Sequence, residues 1–303
     1  MRVPQSSLEE LHERGFTLLE GFLGADELSA ARAALWDEFP RPADYFADPS
    51  RYERFTQNQF AGLKVGPWRS WDLNRLAFHP DLVDLAARFL GSGDLRLYKT
   101  ELWAKYAGAV DYDQPHHRDF GNHTLVVPDR SQPPTQMTSF LLLSDVTTEH
   151  GPTMVVPHDR GAAIPYWPPK QAKGDLADAE VAVTGPAGSL FVYRTDILHR
   201  GSQIRGAEAA RFVLLADYEV WGRRWTGKAA WPNHALDPAW VEMMERATPA
   251  ERCLFGFPGP AEAYWNAQTI ADVGARYPQM DMTPYTLATS FPSASMGLQK
   301  ENR

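Results

Sequence analysis

LRLYKTELWAKY at 95–106 is the first of five strand-like segments, which continue as TQMTSFLLLSDV at 135–146, TMVVP at 153–157, GSLFVYRTDILH at 188–199 and RFVLLADYEV at 211–220. Each segment is apolar or alternates apolar with polar residues, and Gly, Pro and Asp clusters separate them, which is typical of β-strands. No helix-length pattern alternates with them. This part of the chain is therefore predicted to form a β-sandwich or barrel.

Helices are predicted on the amino-terminal side of these strands. Ser7 and Glu10 fit a capping box at the start of the first helix, and Gly15 is suited to end it. Residues 28–39 carry an apolar stripe with helical spacing, which predicts a second helix. A third helix is predicted from about Pro80 to Leu90, where proline suits the first turn.

The chain is interpreted as one domain, 1–303, with three parts: a helical support at 1–94, the β core at 95–220 and a carboxy-terminal wrap or lid at 221–303. The last part is rich in Trp, Pro and Gly and is too apolar for a free linker. A short helix is predicted to begin at Asp237–Pro238. Within this part, RRWTGKAAWPNH (223–234) and RYPQMDMTPY (276–285) are candidates for a lid, although packing against the core is the favoured interpretation.

Composition excludes several classes of protein. Hydrophobic residues make up 44% of the 303 residues, enough for a sizeable core, and the formal net charge of −8 argues against nucleic-acid and anionic membrane partners. Cys253 is the only cysteine, so neither an internal disulfide nor a thiolate metal cluster can form. No apolar run approaches the roughly 18 residues of a membrane span, and the polar amino terminus lacks a signal-peptide core. A soluble cytoplasmic protein is expected.

The segment DQPHHRDFGNHT at 113–124 carries the candidate chemistry. If it is a strand, His117 and Asp119 point to the same side, into the barrel, while His116 and Arg118 point out. His199, at the end of a strand-like segment, is the best candidate for a third ligand. Two histidines and one carboxylate on one face of a metal form the facial triad of non-haem iron(II) oxygenases, which leaves positions for a 2-oxo acid and dioxygen. A lone His-x-Asp is common by chance, so the prediction depends on its surroundings.

A guanidinium supports the iron interpretation. Arg211 begins the last strand-like segment, where it can hold the distal carboxylate of 2-oxoglutarate through two parallel hydrogen bonds. Arg205, in the preceding turn, is the alternative, and Ser202 can add a hydroxyl contact. A surface arginine that caps a strand end remains the competing interpretation of Arg211.

Five residues are candidates for substrate contact. Strand alternation places Glu101 and Trp103 on one face of the strand before the metal motif, and Phe120, Asn122 and His123 follow that motif. Packing in the core, at an edge or in a loop is the alternative role for each of them.

Four segments, in order, resemble the phytanoyl-CoA dioxygenase family of iron/2-oxoglutarate oxygenases. They are ERGFTLLEGFLGADELSAARAAL at 13–35, LYKTELWAKYAG at 97–108 followed by HHRD, LLLSDVTTEHGPTMVVP at 141–157, and GSLFVYRTDILHRGS at 188–202 followed by Arg211. The chain departs from the family pattern around the metal motif, where His116 and Arg118 replace the usual Trp and Gln, and at 157–160, where Pro-His-Asp-Arg replaces Pro-Gly-Ser-His. These departures concern the substrate pocket.

The resemblance implies a fold, cofactors and a reaction. The fold is a double-stranded β-helix, a cupin-like jelly roll, mostly β with flanking helices. His117, Asp119 and His199 would bind Fe(II), and Arg211 would hold 2-oxoglutarate. With O2, the enzyme would oxidise an unactivated C–H bond, usually by hydroxylation, and release succinate and CO2. Asp119 occupies the place that a small residue has in halogenating relatives, so oxygenation is expected.

Two other functions fit the same residues. A jelly roll can hold zinc, manganese or nickel and catalyse a hydrolysis or isomerisation, or it can bind a ligand without catalysis. Within the oxygenase interpretation, a small molecule or biosynthetic intermediate is the preferred substrate, while an acyl-CoA or a free amino acid is also compatible. Desaturation and ring formation are alternatives to hydroxylation.

Overall fold

A computed structural model describes residues 2–109, 113–168, 170–172, 174–222 and 231–290 of the 303-residue chain. Among these residues, no helix combines the length and the apolar character that crossing a membrane requires.

Nine strands and eleven α-helices make up the described structure. The strands are β1 (Phe16–Leu19), β2 (Leu63–Val65), β3 (Leu95–Tyr106), β4 (Gln136–Leu142), β5 (Thr153–Val155), β6 (Val181–Val183), β7 (Leu190–Arg194), β8 (His199–Gly201) and β9 (Ala210–Val220). The α-helices are α1 (Gln5–Arg14), α2 (Ala25–Glu38), α3 (Pro42–Ala47), α4 (Trp71–Asn74), α5 (Pro80–Leu90), α6 (Phe120–His123), α7 (His158–Gly161), α8 (Pro238–Arg246), α9 (Pro249–Cys253), α10 (Ala267–Arg276) and α11 (Thr283–Ser290). Short 3-10 helices cover Pro49–Phe55, Arg75–Phe78, Thr148–His150 and Trp231–His234.

The strands form two antiparallel sheets. The large sheet has the order β1-β7-β4-β9-β3-β2, and the small sheet has the order β6-β5-β8. Side chains from both sheets pack together in one apolar cluster, which includes Phe140 and Leu215 of the large sheet and Val155 of the small one. The sheets therefore face each other, and the predicted jelly roll with flanking helices is confirmed.

Strand alternation divides the large sheet between two cores. In β9, Val213 and Leu215 face the small sheet, while Phe212 and Leu214 belong to the larger apolar cluster on the other face. The helices of the amino-terminal part cover that other face and bury, among others, Leu85. Because both faces are covered, β9 is apolar at nearly every position, which agrees with its sequence.

The predicted amino-terminal helices are present, with one error at a helix start. Gly15 ends α1 in the left-handed conformation, φ 84°, and α5 covers Pro80–Leu90 as predicted. The predicted capping box at Ser7 and Glu10 is wrong, because α1 begins at Gln5 with Pro4 as its N-cap. Ser7 therefore lies inside the first turn.

The described carboxy-terminal residues pack on the helical side of the large sheet. Trp231 donates its indole hydrogen to the Leu97 carbonyl at 2.7 Å, and Tyr277 and Tyr285 are buried in the larger cluster. The helix predicted at Asp237–Pro238 is α8. Of the two lid candidates, 276–285 packs as part of this core and lies away from the large cavity among the described residues, while 223–230 lies outside the described residues. The division into one domain stays a prediction.

Gly62 holds the edge of the large sheet against β3, and replacing it with alanine is expected to lower stability. The Gly62 carbonyl accepts a hydrogen bond from the Ala104 amide at 2.8 Å, which holds the two backbones close together. A Cβ at position 62 would therefore lie 1.9 Å from the Ala104 carbonyl oxygen. The edge must therefore move, at a cost of about 1–3 kcal/mol. Chemical denaturation measures this, and Gly93→Ala, where a Cβ would meet nothing within 4 Å, is the control. Equal stability of the two variants would contradict this account.

Candidate metal centre and cavity

His117, Asp119 and His199 converge on one point. One ligand atom from each lies within 4.8 Å of the other two. The Nε2 atoms of His117 and His199 lie 3.8 Å and 3.5 Å from Oδ1 of Asp119. Two imidazole nitrogens and one carboxylate oxygen at this spacing can bind one divalent metal ion.

Main-chain hydrogen bonds bring the two histidines together. The His117 amide donates to the His199 carbonyl at 2.9 Å, and the His199 amide donates back to His117 at 3.0 Å. His117 thus extends the small sheet beside β8. The expectation that Asp119 shares a strand with His117 is wrong, because Asp119 is helical, φ −66° and ψ −29°, and precedes α6. His199 begins β8 and does not end a longer strand, because a turn at 195–198 separates it from β7.

Both imidazoles are oriented through the nitrogen that faces away from the cluster. Nδ1 of His117 lies 3.0 Å from the Pro115 carbonyl, and Nδ1 of His199 lies 3.2 Å from the Ile197 carbonyl. A carbonyl oxygen can only accept, so Nδ1 must carry the hydrogen in each ring. The lone pair of Nε2 therefore points to the shared point, as metal ligation requires.

The protonation states also suit a cation. Burial, together with the positive field of His199, lowers the pKa of His117 to about 4. Burial opposes ionisation of Asp119, but the neighbouring histidines, His199 first, outweigh it and hold the pKa of Asp119 well below its usual range. Burial likewise lowers the pKa of His199, yet Asp119 outweighs burial and raises it overall. A metal ion that binds here therefore competes with a proton for Nε2 of His199.

Tyr193 was missed by the sequence reasoning. Its hydroxyl donates to Oδ2 of Asp119 at 2.7 Å and lies 3.4 Å from Nε2 of His199. The hydrogen bond fixes the carboxylate so that Oδ1 faces the histidines. In the sequence, Tyr193 is one apolar position among several in GSLFVYRTDILH, and only the contact identifies it.

Arg118 fixes the loop that carries the metal motif. His116 and Arg118, which were expected to point out, are both buried, and Arg118 is among the residues that line the cavity. The Arg118 guanidinium donates to four main-chain carbonyls, at Gly161, Ile164, Pro165 and Asp196. It therefore ties the His117–Asp119 turn both to the loop after α7 and to the turn that precedes His199.

Arg118→Gln is expected to weaken metal binding by about 10–100-fold, the usual cost of losing a group that orients a ligand. Glutamine lacks the reach to bond all four carbonyls, so the turns that carry the three ligands can move apart. Metal titration of the purified protein measures the loss. Arg160→Ala, an exposed position on α7, is the control. If the two variants bind metal equally well, Arg118 does not position the ligands.

Two cations mark one end of the adjoining cavity. Arg211 is buried, donates to the Gly151 carbonyl and lies directly opposite Lys105 in the β3–β9 register. Lys105 is buried as well, and burial together with the charge of Arg211 lowers its pKa well below the usual value. Lys105 was not predicted, although the alternation that selected Glu101 and Trp103 extends to it. Arginine and lysine side chains are the usual protein partners of a carboxylate.

The other proposed co-substrate contacts lie elsewhere. Ser202 donates its hydroxyl to the Pro152 carbonyl at 2.6 Å and is not among the residues that line the cavity. Arg205, the alternative to Arg211, is exposed in the turn before β9. Of the two arginines, the structure brings only Arg211 into the cavity.

The cavity has a volume of about 680 Å³ and spans both sheets. It is lined by Gln59, Phe60, Leu63, Val65, Lys99, Glu101, Trp103, Lys105, Gln114, Pro115, His117, Arg118, Asp119, Gly121, Asn122, His123, Phe140, Thr153, Lys170, Tyr193, His199, Gly201, Arg211 and Leu215. Four of the five candidate substrate residues are in this set. The fifth, Phe120, is buried against Tyr166, with ring centroids 5.5 Å apart, and does not line the cavity.

The chain is similar in sequence or in fold to several known proteins. An L-proline trans-4-hydroxylase of Streptomyces griseoviridis is 30% identical over 173 residues, which cover 48% of this chain and 61% of the hydroxylase, so the match spans about three fifths of that relative. The carbocyclase SnoK from nogalamycin biosynthesis has a TM-score of 0.55 and 18% identity, over 77% of this chain and 90% of SnoK. EctD from S. alaskensis, crystallised with 2-oxoglutarate and 5-hydroxyectoine, has a TM-score of 0.53 and 19% identity, over 76% and 83%. The two solved structures share the fold.

The model of the family described as phytanoyl-CoA dioxygenase (PhyH) matches residues 11–212. This range contains the three converging side chains and Arg211, and it covers about two thirds of the chain. The chain therefore belongs to the phytanoyl-CoA dioxygenase (PhyH) family.

Proposed function

We propose that the enzyme binds Fe(II) through His117, Asp119 and His199 and hydroxylates an unactivated C–H bond of a small organic substrate, with release of succinate and CO2. The observation that carries the proposal is the convergence of the three ligand atoms within 4.8 Å inside a cavity that also contains Arg211. A facial triad leaves open positions for a 2-oxo acid and dioxygen. Dioxygen would be the oxidant: bound iron would activate it, and 2-oxoglutarate would supply two electrons as it loses CO2 and becomes succinate.

Each side chain of this site has a separate role in the proposed reaction. Arg211, with Lys105 beside it, holds the distal carboxylate of 2-oxoglutarate, and the carbonyl-bonded imidazoles keep both Nε2 lone pairs on the metal side. Asp119 fills the third protein position, which favours oxygenation over halogenation. Walls from both sheets surround the site, so the cavity can exclude water from the reacting groups.

The substrate is assigned to the part of the cavity that Glu101, Trp103, Asn122 and His123 line. A small-molecule substrate is supported by the name of the proline hydroxylase relative and by the cavity volume, which lies within the range for small-molecule sites. The cytoplasmic location and the absence of nucleic-acid and membrane partners stay predictions from the sequence.

The test is the dependence of succinate release on Fe(II), 2-oxoglutarate and O2, with each left out in turn. The proposal expects succinate only when all three are present, and faster release when the substrate is added. Turnover that continues without O2, or with zinc in place of iron, would favour a hydrolase or isomerase. Failure to bind both iron and 2-oxoglutarate in calorimetry would leave a ligand-binding barrel without catalysis.

A further inference from the structure

Three charged side chains form a row in the wall of the cavity. Nζ of Lys99 lies 2.7 Å from Oδ2 of Asp217 and 3.5 Å from Oε2 of Glu101. All three residues are at most 5% exposed. Lys99 and Glu101 line the cavity, whereas Asp217 lies behind Lys99 and is fully buried. The row therefore presents Glu101 to the cavity and keeps Asp217 as the close partner of Lys99.

The row lies at the opposite end of the cavity from Arg211 and Lys105. Lys99 and Lys105 are both on β3, six residues apart, which corresponds to roughly 20 Å along a strand. The cross-strand register runs from Tyr193 through Thr138 and Asp217 to Lys99. Because the Tyr193 hydroxyl contacts the metal cluster, the row lies on the metal side of the cavity. The end near Arg211 is assigned to 2-oxoglutarate, so this end is left for the substrate.

Carboxylates outnumber ammonium groups in the row. Burial works against the charged form of Lys99, but Asp217 and Glu101 outweigh it and raise the pKa of Lys99. Lys99 thus stays cationic. Burial raises the pKa of Asp217 to about 7, so above that pH one positive charge faces two negative ones. A buried excess of negative charge is stabilised by a further cation. A carboxylate has about four acceptor positions, so Glu101 can accept from a ligand in addition to its protein contacts.

An aromatic pair beside Glu101 also favours a cation. Trp103 is two residues along β3 on the same face, and the Phe60 ring stacks on it with centroids 5.9 Å apart and planes at 19°. Phe60 is 54% exposed, so its ring borders the opening of the cavity. The faces of aromatic rings attract ammonium and guanidinium groups. The Lys105 ammonium already lies 5.4 Å from the Trp103 centroid, so the exposed Phe60 ring is the one that offers a face to a ligand cation. Lys170 is the only other charged residue outside the co-substrate end and the metal motif among the described residues that line the cavity.

We propose that the substrate carries a cationic nitrogen, an ammonium or amidinium group, that Glu101 binds beneath the Phe60–Trp103 pair. Glu101 is then a specificity-determining residue, and Lys99 holds its carboxylate in place. The proposal rests on the proposed function for the identity of the opposite end of the cavity. It argues against an acyl-CoA, whose phosphates would be repelled by the carboxylates of the row.

The first experiment compares amines with their uncharged counterparts. Small metabolites with a primary or secondary amine, the proteinogenic amino acids and polyamines included, are assayed beside their N-acetyl derivatives for stimulation of O2-dependent succinate release. Acyl-CoA thioesters and neutral terpenoids complete the panel. An amine is expected to stimulate release, and its N-acetyl derivative is expected to have a kcat/KM lower by about 30-fold or more, as for the loss of a buried charge pair. A preferred substrate without a cationic nitrogen would overturn the proposal.

The second experiment uses Glu101→Gln, which keeps the shape of the side chain and removes its charge. The variant is expected to lose about 30-fold or more in kcat/KM for the amine. Glu101→Asp keeps the charge and should retain more of the activity, which separates charge from folding. Glu149→Gln, an exposed position, is the matched control. Equal selectivity for amine and N-acetyl derivative in Glu101→Gln and the unaltered protein would overturn the proposal.

Calorimetry separates a failure here from a failure of the proposed function. The same amine and N-acetyl pairs are titrated into the unaltered protein and into Glu101→Gln, and no turnover is needed. If the enzyme forms no succinate but binds an amine through Glu101, the proposed function fails while the cation site stands. If succinate forms normally and no amine binds or reacts, only the cation site fails.

Discussion

Asp119→Ala is expected to reduce turnover to below about 1% of the unaltered enzyme, because the loss even of a group that merely orients a ligand costs 10–100-fold. Asp119 supplies the only carboxylate oxygen in the three-residue cluster. Without it, two histidines remain, and the facial arrangement on which the chemistry depends is incomplete. His117→Ala and His199→Ala are expected to have the same effect, since each removes one imidazole. Succinate release and the iron content of the reconstituted protein measure the loss.

His234→Ala is the control for these variants, because His234 pairs with Asp237 and lies outside the cavity. It should keep both iron binding and turnover. Circular dichroism should show that all four variants remain folded, since the core clusters do not include the altered side chains. Near-normal turnover in any one of the three cluster variants would show that the altered residue is not a ligand.

Arg211→Ala is expected to raise the 2-oxoglutarate concentration needed for half-maximal rate by about 30-fold or more, which corresponds to roughly 2 kcal/mol or more for breaking a buried charge pair. The truncated side chain leaves Lys105 as the remaining nitrogen donor beside the distal carboxylate of 2-oxoglutarate. Arg211→Lys should be intermediate, because lysine keeps the charge but cannot form two parallel hydrogen bonds. Initial rates at varied 2-oxoglutarate, with iron saturating, give this dependence.

Arg205→Ala is the matched control, because Arg205 is exposed in the turn before β9 and should leave the 2-oxoglutarate dependence unchanged. The iron content of Arg211→Ala should also be unchanged, which separates co-substrate binding from metal binding. A 2-oxoglutarate dependence that is the same in Arg211→Ala and the unaltered enzyme would assign the carboxylate to Lys105 or to another part of the cavity.

The positions of the strands that build the site could be predicted from the sequence, because buried strand positions carry apolar residues at regular spacing. β3, β4 and β9 start within one residue of the predicted starts. β3 and β9 also end at the predicted residue, whereas β4 ends a few residues early. α5 matches the prediction at both ends, where Pro80 and Gly91 mark the start and the stop. Local rules were weaker where several residues compete for one role. Ser7 satisfied the capping pattern, but α1 begins at Gln5, and Pro4, directly before it, is the N-cap.

The errors at the site have a common cause, which is that sequence spacing does not give direction outside regular elements. The strand rule placed Asp119 on the same side as His117, and Asp119 does lie there, but through a turn into α6. The same turn carries Phe120 away from the cavity and onto Tyr166. Arg118 was expected to point out of the barrel, and a loop from far along the chain buries it instead.

The sequence by itself predicted a β-sandwich or barrel, because strand periodicity is a property of short segments, and its resemblance to a family indicated the jelly roll. It also named the residues proposed to bind metal and co-substrate, because residue chemistry is readable one position at a time. Only the tertiary structure decided that Tyr193, Lys105 and Arg118 support the site and that Lys99, Glu101 and Asp217 form one charged row. These contacts join residues that are distant in the chain, or they involve one residue of a strand whose neighbours look equally suitable in the sequence. Their distances and burial, which set the strength of each electrostatic interaction, exist only once the two sheets face each other.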